Sequence, residues 1–162
     1  MKYVIRSLEA HEYAVLNDFL YEAIYIPEGT EAPPRSVLEL PELQVYIEGF
    51  GTSKDDHAFA AMADEKIVGV VWTRIMNDYG HIDEDTPSLS ISVLEEYRGA
   101  GIGTALLDTM LSNLASCGYA QVSLSVQKEN FAGKMYEKAG FTVYSEREEE
   151  YIMHAPLCRS SE

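Results

Sequence analysis

Residues 97–107 read YRGAGIGTALL, with Gly99, Gly101 and Gly103 two apart and Arg98 in front of them. A glycine-rich turn that leads from a strand into a helix presents unpaired backbone N–H groups beside the positive end of the helix dipole, and that arrangement binds phosphates. Glycine serves there because a Cβ would block close approach and because positive φ costs it little. Arg98 can add a charge-assisted contact. The same glycines also fit a plain turn that needs tight packing. Two nucleotide readings fail on spacing. A Walker loop requires Lys after the last glycine, and here Gly103 is followed by Thr104. A dinucleotide fingerprint requires Gly-x-Gly-x-x-Gly and an acidic residue about 20 positions on. Here the glycines alternate, and residues 123–126 are Ser-Leu-Ser-Val.

The elements that would position this turn follow from periodicity. Before it, SLSISV alternates Leu89, Ile91 and Val93 with three serines, the period of a strand. After it, Ile102, Leu106, Met110, Leu111 and Leu114 trace one face of a helix that Gly118 closes. QVSLSV is another alternating strand, 131–139 a short helix, and FTVYSE and EYIMHAPL two final strands. Upstream, YVIRSL opens the chain as a strand, and Tyr13, Leu16, Leu20 and Ile24 recur at helical spacing over about 10–23. The prolines and glycine of YIPEGTEAPPR end that helix. Ser36 is the expected cap of a second helical region over 37–50, with Pro41 marking a break or restart. HAFAAMA, the turn DEK and IVGVVWTRI read as an antiparallel hairpin. The order β-α-α-β-β-β-α-β-α-β-β predicts one domain over residues 1–162, of α/β (α+β) class, with helices on a mixed central sheet.

The formal net charge of −15 repels phosphate backbones, so no binding to nucleic acid through a general basic patch is predicted. Solvated surface charge is the first explanation of the acidity, and a cationic partner such as an amine is the second. An anionic ligand would therefore be held by local geometry. No apolar run approaches the roughly 20 residues that span a bilayer, so no membrane association is predicted. The opening MKYVIRSLEAHEY lacks a basic segment followed by an apolar one, so no secretory signal is expected. Cys117 and Cys158 form no metal-spacing motif, and a reduced, cytoplasmic chain is expected. His57 adjoins Asp55 and Asp56, but consecutive loop residues seldom point at one ion, and no metal is predicted.

RGAGIG, residues 98–103, resembles the Arg/Gln-x-x-Gly-x-Gly/Ala signature of the GNAT superfamily of N-acetyltransferases, whose loop holds the pyrophosphate of acyl-CoA. NFAGKMYEKAGF, residues 130–141, is similar to the Asn-x-Ala…Tyr-x-Lys-x-Gly-Phe segment of that superfamily, and the IVGVVW hairpin resembles the strands before its cofactor strand. The resemblance implies a GNAT-like fold with acetyl-CoA as co-substrate. Val93 would offer backbone groups to the pantetheine arm, with its N–H polarising the carbonyl. Arg98, Gly99, Ala100, Gly101, Ile102, Gly103 and Thr104 would wrap the pyrophosphate. Asn130 would bond near the pantetheine, and Tyr136 would lie beside the sulfur as general acid. A splay after the cofactor strand is a further family feature.

The implied reaction is acetyl transfer to a primary amine of a small molecule or peptide by direct attack, since neither cysteine has a nearby His partner in sequence. SLSISV lacks the carboxylate that serves many relatives as base. The nearest candidates for base or amine contact are His81, Asp83 and Asp85, with Glu84 between them. The same residues also read as a solvated acidic turn. Glu149, Glu150, Tyr151 and His154 are further candidates on the last strand. Tyr21, Tyr25, Tyr46 and Phe50, with Glu22, Glu28 and Glu48, could line an acceptor pocket or simply be half-buried core. Two alternatives stay open: transfer to the N-terminal amine of a protein, and a CoA-binding sensor without turnover. Homodimers are common among relatives.

Overall fold

In the computed structural model, which describes residues 2–157 except 27, 77 and 131, seven strands join in one sheet. They are β1 (Val4–Ser7), β2 (His57–Ala63), β3 (Lys66–Arg74), β4 (Ser88–Val93), β5 (Gln121–Gln127), β6 (Thr142–Glu146) and β7 (Glu150–Pro156). Their order across the sheet is β1-β2-β3-β4-β5-β7-β6. Only β4 and β5 run parallel. The helices are α1 (Leu16–Ala23), α2 (Pro41–Gln44), α3 (Ile102–Ser116) and α4 (Ala132–Lys138). The mixed sheet with flanking helices is the class the sequence predicts, and Phe131, expected to open α4, lies outside the described residues.

Alternation sends the two faces of β2 and β3 to two cores. Leu89 and Val93 of β4 and Val122, Leu124 and Val126 of β5 pack with Leu106 and Met110 of α3 on one face. Val70 and Trp72 of β3 pack with Leu16, Phe19 and Tyr46 on the other. Trp72, Tyr46 and Phe50 are therefore core, the structural reading of the aromatics. The β2–β3 turn is two residues long, Asp64 and Glu65 at φ 50° and 63°, the handedness that matches strand twist in tight hairpins. Gly69 sits where β3 meets α3. A Cβ there would stand 3.0 Å from Leu106 Cδ1, 3.2 Å from Val93 Cγ2 and 3.3 Å from the Ser92 carbonyl oxygen. Gly69→Ala should therefore overpack this contact and lower stability by about 1–3 kcal/mol, read from urea denaturation.

Two helical expectations are corrected. Residues 10–15 form a 3₁₀ helix and only Leu16–Ala23 is α-helical. Glu9 and Glu12 bond reciprocally at its start, and Glu12 also takes both guanidinium nitrogens of Arg6 at 2.8 Å. That pairing holds the Glu12 carboxyl down at about 2. The region 37–50 is a 3₁₀ turn (Arg35–Glu39), the single turn α2, and hydrogen-bonded turns to Phe50. Pro34, not Ser36, precedes the first turn. The break has a local cause: a residue before proline is driven out of the helical region, and Leu40 sits at φ −65°, ψ 137°. Pro41 then restarts the helix at its first position, where a missing N–H costs nothing.

Arg74 pins this irregular segment to the sheet. Its guanidinium pairs with Asp56 at 3.2 Å and donates to the carbonyls of Val45 (3.3 Å) and Glu48 (2.8 Å). Trp72 Nε1 donates to the Tyr46 carbonyl at 3.0 Å. Cys117 is exposed and unpaired in a disulfide, while Cys158 lies outside the described residues. Among the described residues no helix is long and apolar enough to cross a membrane.

Candidate functional site

β4 and β5 pair at one position among the described residues, Ser88 opposite Ser123, where the Ser123 N–H donates to the Pro87 carbonyl at 3.0 Å. Beyond that bridge the strands part. β4 is laced to β3 throughout, and the Leu94 N–H donates to the Val68 carbonyl at 2.8 Å. By alternation, the N–H and C=O groups of Ile91 and Val93 point away from β3, into the gap. Ser90 and Ile91 are the two half-exposed residues of β4, and Ser125 is half-exposed across from them. The gap is a wedge with its apex at Ser88–Ser123. It runs back about 16 Å from Val93, five residues at about 3.3 Å each. This is the splay the family resemblance implies.

The glycine turn stands at the open end. Gly99 and Gly101 adopt φ +82° and +86°, and nothing lies within 4 Å of where either would carry a Cβ. The Ala105 N–H makes the first intrahelical bond, to the Gly101 carbonyl at 3.1 Å. The N–H groups of Ile102, Gly103 and Thr104 therefore have no acceptor within α3. Ile102 is 1% exposed and anchors the turn in the core, while Ala100 and Thr104 are exposed. Gly103 faces α4, where a Cβ would stand 3.4 Å from Met135 Sδ. Free amides, unfilled space and a four-turn helix dipole suit an anion such as a pyrophosphate. Arg98 behaves differently from the expectation. Its Nε donates to the Val93 carbonyl at 2.8 Å and its Nη2 pairs with Glu22 of α1 at 3.3 Å. The arginine ties the loop to β4 and α1, and the amides make the cradle.

Asn130 stands just before α4 and Tyr136 lies on it, the helix whose Met135 faces Gly103. The Asn130 carboxamide oxygen accepts from the Ala132 N–H at 2.9 Å, which fixes it at the head of that helix. Tyr136 is buried, with Phe141 at 5.8 Å between ring centroids, and burial pushes its hydroxyl up to about 12. Tyr25, after α1, reaches over to donate to the Glu129 carbonyl at 3.3 Å, so the α1 side and the β5–α4 loop meet across the open end.

The acidic turn is not brought to the glycine loop. Asp83 accepts from the Thr86 hydroxyl (2.8 Å) and the Asp85 N–H (2.9 Å), bonds that hold its carboxyl below its usual value. Asp83, Glu84 and Asp85 are exposed and border a cavity of about 400 Å³ with Lys54, Asp55 and Tyr119, beside the C-terminal end of α3. His81 is half-buried, and its Nδ1 has no partner among the described residues. The carboxylate at the apex is one the sequence reading passed over, Asp78. Its Oδ1 accepts from Ser88 Oγ at 2.8 Å, and the Gly80 amide and the Tyr46 hydroxyl stand near enough to favour its charged form. Burial nevertheless raises its carboxyl above the ordinary range. On the same face, Glu150 of β7 is raised by burial and by the charge of Asp78, against the pull of Arg147. No spacing signal could have found Asp78; only Tyr46 and Ser88, folded around it, distinguish it from its neighbours.

Comparison with known proteins agrees with this geometry. The model of the acetyltransferase (GNAT) domain matches residues 17–158. The chain is 34% identical over 138 residues to an N-alpha-acetyltransferase of Sulfurisphaera tokodaii, covering 74% of this chain and 82% of that one. It is similar in fold to the PaiA N-acetyltransferase of Thermoplasma acidophilum in complex with coenzyme A (TM-score 0.70, 22% identity, 96% of this chain and 99% of that one). It is also similar to the ribosomal-protein-S18-alanine N-acetyltransferase of Escherichia coli (TM-score 0.67, 20% identity, 99% and 97%). The domain match over residues 17–158 takes in both the glycine cradle and the wedge between β4 and β5, so the chain belongs to the GNAT acetyltransferases and is an enzyme of that family.

Proposed function

We propose that this enzyme transfers an acetyl group from acetyl-CoA to a primary amine, which attacks the thioester directly. The observation that carries the reading is the empty left-handed cradle at Gly99–Gly101, opening onto the wedge between β4 and β5. The amides of Ile102, Gly103 and Thr104 would hold the pyrophosphate. The N–H groups of Ile91 and Val93 would meet the arm and polarise the acyl carbonyl, with Asn130 nearby. Acetyl-CoA supplies an activated acyl group with a thiol as leaving group.

Tyr136 is the donor for the leaving sulfur. A phenol at about 12 stays protonated across the neutral range. Handing its proton outright to a thiolate of pKa about 8.5 would be uphill by roughly 5 kcal/mol. Its contribution is therefore a hydrogen bond to the developing charge rather than a complete transfer.

The acceptor is an amine that is cationic in solution. The α-amine of a polypeptide is favoured over a lysine-type amine by the similarity to enzymes named N-alpha-acetyltransferase. Chemistry points the same way. At pH 7 an α-amine of pKa about 7.8 is about one part in seven unprotonated, while an amine near 10.4 is about one in 2,500.

The test is a melting comparison with acetyl-CoA, NADH and ATP, each in large excess. A ligand at 100 times its dissociation constant adds about 2.7 kcal/mol, which for a chain of this size raises Tm by about 5–11 °C. A rise with acetyl-CoA alone is expected. No rise would overturn the cofactor assignment. Binding without thiol release from any amine would favour a sensor over an enzyme.

A further inference from the structure

The paired carboxylates of this protein share one trait. Asp56, with 1% of its side chain exposed, is neutralised by Arg74, and Glu12 is neutralised by Arg6. Asp78 is half-buried, yet no ion pair reaches it among the described residues. Its place is as unusual as its charge. Ser88, whose hydroxyl it accepts, is the β4 residue of the single β4–β5 bridge. The loop that carries it crosses the sheet just there: the Gly80 carbonyl accepts from Ser123 Oγ at 2.7 Å, and a Cβ on Gly80 would stand 3.1 Å from the Ser125 nitrogen. A carboxylate stripped of much of its water and left without a cation gains from a cation that arrives. At the apex of the wedge, the arriving cation is the acceptor's own ammonium.

We propose that Asp78 is the catalytic base, receiving the acceptor ammonium at the apex of the wedge and taking its proton. The inference rests on the amine-acceptor reading above. One N–H proton passes from the ammonium to the Asp78 carboxylate. The freed nitrogen lone pair forms the C–N bond to the acyl carbon, the C–S bond breaks, and the second nitrogen proton ends on sulfur beside Tyr136. Asp78 returns its proton to solvent, so each turnover releases one proton, an amide and a free thiol. Tyr46 neighbours the carboxylate from the α2 side. It is itself held by Trp72 through its carbonyl, and Arg74 holds the flanking residues Val45 and Glu48.

The test uses the full chain with Asp78→Asn and Asp78→Glu. The acceptors are n-butylamine, spermidine and a hexapeptide with a free N-terminal alanine, and thiol release is the readout. Asp78→Asn should lower kcat about 100-fold on every acceptor the parent uses. The acetyl-CoA-induced rise in Tm should be unchanged, and Asp78→Glu should recover part of the turnover. Because the native carboxyl is raised in the folded state, its ionisation opposes folding above that pKa and has no such cost below the unfolded value. The ligand-free Asn variant should therefore melt no lower than the parent at pH 7. The acidic limb of kcat should vanish with it; the groups that face Asp78 are Tyr46, Ser88, the Gly80 amide and, through its charge, Glu150. Turnover within threefold of the parent, or a joint fall in Tm and in acetyl-CoA response, would overturn the assignment and leave Asp78 a structural tie. No thiol release by a parent that binds acetyl-CoA would overturn the amine reading itself.

Discussion

Tyr136→Phe should lower kcat about 100- to 1,000-fold while leaving the acetyl-CoA-induced rise in Tm intact, the effect of removing one preorganised donor to developing charge. The ring is buried beside Phe141, and phenylalanine keeps its shape, so the fold has no reason to respond. The hydroxyl is protonated throughout the neutral range because burial raises it to about 12, so the parent's turnover should show no alkaline limb from Tyr136 below about pH 11. The measurement is steady-state thiol release together with Tm, with and without acetyl-CoA. An equal loss of cofactor response with unchanged kcat would demote Tyr136 to packing.

Gly101→Val should weaken acetyl-CoA binding by about 100-fold or more in calorimetric titration. A side chain at φ +86° is strained by about 1–2 kcal/mol, and relief of that strain turns the following amides away from the cradle. Charge-assisted hydrogen bonds are worth about 1.5–3 kcal/mol each, so the loss of two gives an effect of this size. No neighbour lies within 4 Å to clash, so the variant should fold. Gly29→Val is the control. It carries the same strain at φ +85°, also in open space, and lies outside the cradle, so it should lose stability and keep affinity. Equal affinity in folded Gly101→Val would remove the pyrophosphate from this loop.

The order of elements was legible because alternation and helical spacing are one-dimensional records of burial. SLSISV and QVSLSV announce two strands whose apolar residues reach one core. They say nothing of whether those strands pair, since the same alternation suits a laced ladder and one that parts after Ser88–Ser123. The wedge was therefore visible only through family resemblance. The 3₁₀ turn at 10–15 escaped for a related reason: bonds from i to i+3 and from i to i+4 sample nearly the same apolar spacing over six residues. In MNDYGHIDEDTP four acids look alike as letters. Three are exposed and form the expected solvated turn, while Asp78 is set apart by Tyr46, 32 positions upstream, and by Ser88, ten downstream. Arg98 was legible as a signature residue but not in its bonding, because its partner Glu22 is 76 positions away.

The single bridge between β4 and β5 also makes the sheet mechanically two plates. β1–β4 form one plate and β5, β7 and β6 the other, each laced by its own ladders. Among the described residues one backbone bridge joins their strands, supplemented by side-chain bonds such as Ser123 to the Gly80 carbonyl and Gln121 to Thr86 and by a shared apolar core beneath α3. A molecule lying in the wedge and bonded to β4 would touch both plates and act as the missing strand between them. Occupancy would then be felt as stiffness across a seam, so amide exchange should slow along both lips of the wedge, at Ile91 and Ser125 alike, while the interiors of the ladders, already protected, hardly change.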